Sequence, residues 1–253
     1  MANEKKVALI TGANRGIGLE TARQLGQNDI TVIVAARSLK AAEETAKTLQ
    51  GEGIDAFPVQ LDVTKEDDRK AAAKVIAGKY GKLDILINNA GIALYDDLSD
   101  RAVLERHLAV NLFGTYGMIQ AFLPPLIASG GAIVNNVSLA ALAPIPVTPA
   151  YSLSKAAAFS LTQSLRMLLA GQGVRVHAVL TGPVDTDMVR DLDIPKASPQ
   201  SVAQGIFDGV GKGEEDIFPD PQSAALADGW HGGPAKALER QNAALLQPQP
   251  VAS

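Results

Sequence analysis

A hydroxyl, a phenol and an amine occur at fixed spacing in the stretch from Ser138 to Lys155, which reads SLAALAPIPVTPAYSLSK. Tyr151 and Lys155 are four residues apart, so in a helix their side chains lie on one face, about a turn from each other. A phenol ionises near pH ~10, and a neighbouring ammonium favours the phenolate and lowers that pKa. A phenol tuned in this way can give or accept a proton near neutral pH, so the stretch predicts acid–base chemistry.

The elements that must position these groups can be identified from the flanking residues. Thr148 and Pro149 predict a helix that begins just before Tyr151, because a capping hydroxyl followed by a ring without an N–H suits the first turn. Ser138 ends the apolar run AIVNNVS, which predicts a buried strand with the hydroxyl at the rim of a sheet. A tyrosine and a lysine at this spacing also occur as a solvated pair on many helices, so the rest of the chain must decide.

Length and composition indicate one soluble domain. The chain has 253 residues, a length that one open α/β sheet often fills, and neither a repeat nor a linker divides it. Hydrophobic residues make up 47%, charged residues 20%, and the net charge is −4, so the basic surplus typical of nucleic-acid binding is missing. We expect residues 1–253 to form a single domain with flexible tails at 1–5 and about 247–253.

Several classes of site are excluded by residue type. The chain has no cysteine, which rules out disulfides, thiolate metal sites and cysteine nucleophiles. His107, His177 and His231 have no metal-ligand spacing, so each is interpreted as structural and no metal is expected. The charged start MANEKK precedes only a short apolar run, which predicts neither a signal peptide nor a membrane span. These features favour a cytoplasmic enzyme acting on a small molecule.

A glycine-rich turn near the start predicts a dinucleotide site. Val7 to Thr11 reads as a buried strand that runs directly into TGANRGIG, which ends at Gly18, and a helical segment follows to about Asn28. Glycines let the backbone approach a ligand closely, and the helix N-terminus offers free N–H groups to a pyrophosphate. The position between a first strand and a helix is the context that this motif requires.

The end of the second strand indicates which dinucleotide is preferred. TVIVAA predicts this strand, and it is followed by Arg37, where an acidic residue would bind the ribose hydroxyls of NAD. Arg15 in the glycine turn adds a second cation. Two guanidiniums suit a 2′-phosphate, which they can bind through paired, charge-assisted hydrogen bonds, so NADP is favoured. The alternative is that both arginines are solvated surface groups.

Further elements follow along the first half of the chain. IDAFPVQ predicts a third strand, and Pro58 within it indicates a sheet edge. Thr64 and Asp67 predict a capping box for a helix through Lys79. LDILI predicts a fourth buried strand, and the small residues of the NNAG run at its end leave room for a cofactor.

The second half continues the alternation. Ser99 predicts the cap of a long helix that runs through Asn111 to about Ile127. An asparagine in an apolar helix is costly unless its amide forms hydrogen bonds, and a hydrogen bond to a neighbouring helix is the simplest of these. VRVHAVL predicts a sixth strand, Ser198 and Pro199 a helix start, EEDIF a seventh short strand and AKALERQNAALL a last helix. This order predicts an α/β, Rossmann-like doubly wound parallel sheet of about seven strands with helices on both faces.

Taken together, these residues resemble the short-chain dehydrogenase/reductase family across about residues 5 to 220. The resemblance rests on TGANRGIG, the NNAG run, and Ser138 followed thirteen residues later (151 − 138) by Tyr151 of the Tyr-x-x-x-Lys pair. The pair Asp62-Val63 and Asn111 add to it. Several weak signals that follow the family's order make a specific match. The resemblance is to the NADP-preferring carbonyl reductase or alcohol dehydrogenase type.

The resemblance implies four catalytic residues. Tyr151 would protonate the carbonyl oxygen during reduction, or act as the base in alcohol oxidation. Ser138 would hydrogen-bond the same oxygen and stabilise its developing negative charge. Lys155 would lower the pKa of the phenol and hold the nicotinamide ribose, while Asn111 would anchor a water that leads protons to Lys155.

The resemblance also implies how NADP(H) is bound. The glycines would line the pyrophosphate, Asp62 and Val63 the adenine, and Asn89 the ribose. Val184 and Thr186 would contact the nicotinamide amide. The full set of expected cofactor-binding residues is Gly12, Asn14, Arg15, Gly16, Ile17, Gly18, Arg37, Asp62, Val63, Asn89, Ala90, Gly91, Tyr151, Lys155, Val184 and Thr186.

Two departures from the family's pattern bear on these expectations. The family commonly has Pro-Gly where this chain has Thr181-Gly182, which would make the backbone beneath the nicotinamide less rigid. The C-terminal region also lacks the usual closing DGG-type signature, which puts the common tetramer in doubt. A homodimer or a homotetramer is nevertheless expected.

The segments expected to wall the substrate cleft are mostly apolar, and Arg190 is the cation available among them. An apolar cleft favours an uncharged, hydrophobic ketone, aldehyde or secondary alcohol. Some of these residues are equally suited to an ordinary core, and Trp230 is either a cover for the cleft or a packing anchor. The expected pocket residues are Leu94, Leu139, Ala140, Val147, Met188 and Leu192.

Three functions remain open on the sequence. The first is an NADPH-dependent carbonyl reductase that also works as an alcohol dehydrogenase. The second is a β-ketoacyl thioester reductase, which basic residues around the cleft mouth would favour. The third is a catalytically inactive NADP(H) sensor, which would need none of Asn111, Ser138, Tyr151 and Lys155.

Overall fold

The computed structural model of the chain describes residues 5–245, so the expected tails lie outside it apart from Lys5. The described residues form one sheet of seven parallel strands. The strands are β1 (Val7–Thr11), β2 (Thr31–Ala36), β3 (Ala56–Gln60), β4 (Ile85–Asn88), β5 (Ala132–Asn136), β6 (Arg175–Val179) and β7 (Asp216–Ile217).

Helices cover both faces of this sheet. None of those within residues 5–245 has the combination of length and apolar character that crossing a membrane requires. They are α1 (Gly16–Gln27), α2 (Leu39–Gly51), α3 (Glu66–Tyr80), α4 (Arg101–His107), α5 (Thr115–Ser129), α6 (Pro149–Leu169), α7 (Pro199–Lys212), α8 (Pro221–His231) and α9 (Pro234–Ala244). A π-helical segment, Leu108–Gly114, joins α4 to α5.

The strand order is β3-β2-β1-β4-β5-β6-β7, which confirms the predicted fold class. The chain winds outward from β1 in one direction and then outward from β4 in the other, so these two neighbours mark the point where the order reverses. Ligands of open α/β sheets bind in the crevice that such a reversal leaves at the carboxyl ends of the strands. The edge position of β3 agrees with Pro58, whose missing N–H would interrupt a central ladder.

Alternate residues of the central strands supply the two halves of the core. Ile10 and Val34 pack on the face covered by α1, α2 and α7. Leu9 and Ile33 point to the opposite face, which α3, α5 and α6 cover. The period of two in a strand therefore fills both layers, and it explains why these strands read as continuous apolar runs.

Two predicted helix caps are wrong. The Thr64 hydroxyl lies 2.7 Å from Asp62 Oδ1 instead of capping a helix, and α3 begins after Lys65 without a side-chain cap. Ser99 donates its own N–H to Asp97, and the carboxylate of Asp100 caps α4 instead, through the N–H of Ala102 at 2.8 Å. In both places an aspartate two residues before the expected cap accepts a local N–H, so the cap position moves or is lost.

The start of α6 is predicted correctly, but its cap is a different residue. The helix begins at Pro149, and Thr148 makes no side-chain cap. The carboxylate of Asp96 accepts the N–H of Ala150 at 3.1 Å. A charged acceptor at a helix N-terminus also opposes the positive end of the helix dipole, so Asp96 can stabilise the helix that carries the tyrosine.

A buried network of charges fixes the C-terminal helix to the sheet. Lys236 of α9 is 1% exposed, and its Nζ lies 2.7 Å from Asp216 and 2.8 Å from Glu215. Arg166 of α6 lies 2.8 Å from the other oxygen of Asp216. Burial alone would raise the pKa of Asp216, but Arg166 and the hydrogen bond from Lys236 outweigh it and hold that pKa below its ordinary value.

Replacing Lys236 by Ala tests this network. Asp216 and Glu215 lose one of their counter-charges, so we expect the free energy of unfolding to fall by about 3 kcal/mol. This value is the low end for a broken buried ion pair, because Arg166 still faces Asp216. Urea unfolding measures the change. Lys212→Ala is the control, because its exposed ammonium lies 3.8 Å from Glu214 and should contribute little. Equal losses in the two variants would contradict a stabilising network.

Candidate active site

One groove of about 1180 Å³ runs along the carboxyl ends of the central strands. It extends from the glycine turn after β1 to the first turns of α8. Every residue of the predicted site lines it except Gly18 and Asn111. The topology therefore brings residues from positions 12 to 192 of the chain to a single crevice, at the place where the strand order reverses.

The glycine turn is shaped by close contacts with the end of β4. Gly12 has a φ of +64°, and a Cβ there would lie 3.1 Å from Ala90 Cα. A Cβ on Gly18 would lie 2.4 Å from Asn89 Nδ2 and 2.5 Å from the carbonyl oxygen of Gly12. Gly12 therefore shapes the groove wall, whereas Gly18 lets α1 pack beneath it. The N-cap of α1, Arg15, makes no side-chain cap, which suits a helix N-terminus that is to bind phosphate.

Asn89 holds this turn from below. Its Nδ2 donates to the carbonyl oxygen of Thr11 at 2.9 Å, and its backbone N–H donates to the Thr11 hydroxyl at 3.0 Å. Its Oδ1 accepts from Asn136 Nδ2 at 2.7 Å. The amide is thus used within the protein to align the ends of β1, β4 and β5. Its expected contact with a ribose stays a prediction.

The two arginines expected to bind a 2′-phosphate have different surroundings. Arg37 is exposed, follows β2 directly and lies near enough to Asp62 to help lower the pKa of that carboxyl. Burial is the largest single effect on the pKa of Asp62 and raises it, but two hydrogen bonds from Thr64 and the nearby cations together lower that pKa by more. Arg15 instead donates to Asp187 at 2.8 Å, across the groove from the glycine turn. That ion pair was not predicted, although Asp187 is visible in the run TGPVDTD.

Ser138, Tyr151 and Lys155 meet on one side of the groove. The Lys155 ammonium lies 5.7 Å from the centroid of the Tyr151 ring and donates to the carbonyl oxygen of Asn136 at 2.7 Å. The Ser138 hydroxyl lies near the phenol of Tyr151 and acts to lower the pKa of that phenol. Ser138 has a φ of +153° and a ψ of 158°, a conformation that residues with a side chain rarely adopt. Strain of this kind persists only where neighbouring contacts hold the backbone in place.

The predicted lowering of the phenol's pKa is wrong for this structure. Burial raises the pKa of Tyr151, and the hydrogen bond from Ser138 only opposes that increase. Burial also lowers the pKa of Lys155 to about 8. The reason is that desolvation penalises the charged forms of both groups. At neutral pH the phenol is therefore protonated, as a general acid must be, and the lysine can exchange a proton close to neutrality.

Asn111 lies behind the groove, in the π-helical segment. Its Oδ1 accepts the N–H of Ile92 at 2.9 Å, and its Nδ2 donates to the carbonyl oxygen of Ile92 and to Ser154 Oγ, both at 2.9 Å. The amide therefore joins the loop after β4 to α6. Gly91 separates it from Lys155, since a Cβ there would lie 3.3 Å from Asn111 Oδ1 and 3.7 Å from Lys155 Nζ. The expected water at Asn111 stays a prediction.

His107 packs against the ring of Tyr151, a contact that the sequence did not indicate. The two rings meet edge to face with centroids 6.3 Å apart. His107 Nε2 accepts the N–H of Leu94 at 3.0 Å, so the proton is on Nδ1, which donates to the carbonyl oxygen of Val103 at 2.9 Å. Both ring nitrogens are used, in agreement with a structural histidine. It supports one wall of the pocket and the ring of Tyr151 together.

The part of the groove next to Tyr151 is walled by apolar side chains. Leu94, Val147, Met188 and Leu192 line it, together with the 3₁₀ turn that contains Leu139 and Ala140. Their expected contact with a substrate stays a prediction. Within residues 5–245, the cationic side chains that line the groove are Arg15, Arg37 and Lys155. The cation expected near the substrate, Arg190, is not among them and pairs with Asp187.

The helix α8 contributes two pocket residues that the sequence did not reveal. Gln222 and Leu226 line the groove, although they lie 30 (222 − 192) and 34 (226 − 192) residues beyond the last predicted pocket residue, Leu192. Trp230 does not cover the cleft but packs on Phe159, with ring centroids 5.5 Å apart. The alternative, a packing anchor, is the correct one.

Comparison with known proteins agrees with this geometry. Residues 6–196 match the short chain dehydrogenase family. A 3-oxoacyl-[acyl-carrier-protein] reductase of Staphylococcus aureus is 36% identical over 188 residues, 72% of this chain and 76% of that protein. Two solved structures superpose closely. A short chain dehydrogenase of Burkholderia cenocepacia in complex with NADP has a TM-score of 0.80 and 30% identity, and the match covers 97% of this chain and 99% of that one. An alcohol dehydrogenase of Thermococcus sibiricus complexed with 5-hydroxy-NADP has a TM-score of 0.78 and 28% identity, and the match covers 85% of this chain and 96% of that one.

The family match spans the glycine turn, the Ser138 hydroxyl and the Tyr151 and Lys155 pair, which are the groups that the fold brings to one groove. The chain therefore belongs to the short-chain dehydrogenase family of oxidoreductases.

Proposed function

We propose that this chain is an NADP(H)-dependent oxidoreductase that interconverts an apolar ketone or aldehyde and the corresponding alcohol. The observation that carries the proposal is the convergence of Ser138, Tyr151 and Lys155 on the groove whose other end is the glycine turn. A nucleotide bound along the turn would extend toward the hydroxyl and the phenol. Both of these groups line the groove, where a carbonyl oxygen of a bound substrate could meet them.

The groove has features that fit a dinucleotide carrying a 2′-phosphate. Gly12, Gly16 and Thr186 line the groove, and a Cβ on Gly16 would crowd Thr186 Cγ2 at 3.0 Å, so a larger residue at Gly16 would narrow the groove. Arg37 at the end of β2 offers an exposed guanidinium where an NAD-binding site would place a carboxylate. The two structural relatives described above are complexes with NADP or a derivative of it. These observations together support NADP(H) as the cofactor.

When bound, NADPH supplies the hydride. Tyr151 holds the proton that the carbonyl oxygen must receive, and its raised pKa keeps that proton in place at neutral pH. Ser138 is placed to donate a hydrogen bond to the same oxygen, which stabilises negative charge as it develops there. Lys155, with its pKa lowered to about 8 and its ammonium on the Asn136 carbonyl, is the group that can restore the proton to Tyr151.

An uncharged, apolar substrate is supported by the walls around Tyr151. Leu94, Val147, Met188 and Leu192 offer apolar contacts, and Arg190, which could have bound a carboxylate or phosphate, pairs with Asp187. Apolar walls with a few converging polar groups are typical of small-molecule sites. A carbonyl reductase that also oxidises secondary alcohols is therefore the function that we propose.

The second candidate is a β-ketoacyl thioester reductase, which the similarity to the Staphylococcus aureus reductase favours. Such an enzyme performs the same reduction on a chain attached to a carrier. A panel of aryl and alkyl ketones, diketones and acetoacetyl thioesters, followed by NADPH consumption, discriminates between the two. An inactive sensor is disfavoured because a binding protein needs no ordered Ser138 and Tyr151. Cytoplasmic location and a homodimer or homotetramer remain predictions.

Replacing Tyr151 by Phe removes the proton donor and leaves the ring. We expect turnover to fall by about a hundredfold or more, the usual contribution of a general acid, while the affinity for NADPH stays nearly unchanged. Steady-state rates and NADPH titration measure the two quantities. Tyr116→Phe on α5 is the control, because its half-exposed phenol lies outside the groove. Full turnover in Tyr151→Phe would defeat the assignment.

The pKa directions predict opposite pH dependences for the two reactions. Reduction needs a protonated Tyr151, whose pKa burial raises, so its rate should hold at neutral pH and fall only as Lys155 loses its proton above about 8. Alcohol oxidation needs the tyrosine to accept a proton, so its rate should increase toward alkaline pH. Measurement of kcat/KM against pH in both directions tests this. A common pH dependence would argue against Tyr151 as the group that changes protonation state.

Replacing Arg37 by Asp should shift cofactor preference from NADP toward NAD. Loss of a charge-assisted contact to the 2′-phosphate should weaken NADPH binding by about tenfold to a hundredfold, and the new carboxylate can accept from ribose hydroxyls. Arg101→Asp changes the net charge equally but lies on α4 beside Glu105, outside the groove. If both variants lose NADPH affinity to the same extent, the effect is general electrostatics and Arg37 has no specific role.

A further inference from the structure

We propose that Asp220 is a positioning residue for the reaction, because it fixes the Thr181–Gly182 peptide that in turn contacts the catalytic Ser138. This inference deepens the proposed function and depends on it for its consequence in catalysis. The peptide belongs to the turn after β6 and lines the groove, whereas Asp220 itself does not line it.

Both ends of this peptide are held by hydrogen bonds. The N–H of Gly182 donates to Asp220 Oδ2 at 2.8 Å. The carbonyl oxygen of Thr181 accepts from the N–H of Leu139 at 2.9 Å, and the Ser138 hydroxyl lies 3.4 Å from the same oxygen. One planar unit therefore links the carboxylate on one side to the catalytic serine and its neighbour on the other.

Asp220 divides its two oxygens between two tasks. Oδ1 accepts from the N–H groups of Gln222 and Ser223 at 3.1 and 3.0 Å, so it caps α8, while Oδ2 binds Gly182. The side chain is buried, with 3% exposure, and Ser223 completes a capping box. A simple cap requires one oxygen only. Oδ2 accepts from the N–H of Gly182 and from the Ser223 hydroxyl, whose oxygen lies 2.8 Å away.

Gly182 packs tightly against the first turn of α8. A Cβ on Gly182 would lie 2.9 Å from Asp220 Oδ1 and 3.3 Å from the Gln222 side chain, so the turn rests directly on the first turn of α8. Thr181 stands where proline is common in the family, and here the hydrogen bonds from Leu139 and to Asp220 hold the backbone instead of a ring. The turn is thus braced although the proline is missing.

The brace matters for Ser138 because that residue is itself strained. With a φ of +153°, its backbone depends on neighbouring contacts to stay in place. A carboxylate on the N–H of a peptide also polarises its carbonyl, which strengthens the hydrogen bonds that the carbonyl accepts. Asp220 accordingly acts on Leu139 and Ser138 through the peptide, without touching the groove.

Two variants separate this role from helix capping. Asp220→Ser keeps a side-chain cap for α8 but cannot also reach Gly182, so turnover should fall by about tenfold to a hundredfold, the cost of a slightly misplaced catalytic group. Ser223→Ala removes the capping box and keeps the Gly182 contact, so it should lower thermal stability and leave turnover within about twofold. Asp220→Asn serves if the serine variant folds poorly, because its single carbonyl oxygen cannot fulfil both tasks. If turnover falls no further in the Asp220 variants than in Ser223→Ala, the inference is overturned.

Amide hydrogen exchange gives a readout that does not need activity. In Asp220→Ser the amides of Gly182 and Leu139 should both exchange faster, and in Ser223→Ala neither should. Unchanged exchange at Leu139 in Asp220→Ser would overturn the inference whatever the rates. If both amides respond as expected but the wild-type protein reduces no carbonyl compound, the proposed function fails while the bracing of the peptide stands.

Discussion

The hydrogen bonds that join the ends of β1, β4 and β5 are the constraint on which the site depends. The Thr11 hydroxyl accepts the N–H of Asn89, the Asn89 amide donates back to the Thr11 carbonyl, and Asn136 donates to Asn89. The carbonyl of Asn136 then accepts the ammonium of Lys155. A continuous polar chain therefore runs from the glycine turn to the proposed proton relay. The two halves of the groove cannot shift independently without breaking these partly buried hydrogen bonds, which is costly.

Burial gives the proposed chemistry its direction. Tyr151 and Lys155 lie in surroundings that penalise charge, so the phenol retains its proton and the pKa of the amine is lowered. The sequence spacing predicts a lowered pKa for the phenol, because spacing reveals the neighbouring cation but not the desolvation. The structure places the ammonium on the Asn136 carbonyl and 5.7 Å from the ring centroid. Pairing by sequence distance thus identified the right groups but not the balance of energies acting on them.

The sequence predicted what local pattern determines and missed what topology determines. The strands, the glycine turn and the Ser138, Tyr151 and Lys155 set follow from apolar runs and fixed spacings. The three catalytic candidates and most of the glycine turn line the groove. Caps were misplaced where an aspartate nearby captured an N–H, as Asp97 does from Ser99. The pocket residues of α8 had no local signal, because only the fold carries a helix that follows β7 back to the groove.

The position of α8 is itself determined by two anchors outside the family's shared region, which ends at residue 196. Asp220 holds the first turn of the helix to the Thr181–Gly182 peptide. Near its other end, Trp230 Nε1 donates to Asp216 at 2.8 Å, and Asp216 is the centre of the buried network with Arg166 and Lys236. Because both ends are fixed, the helix presents Gln222 and Leu226 to the groove as a rigid wall. The groups of the proposed chemistry therefore lie in the matched region, while one wall of the groove is built by a segment that the family match does not include.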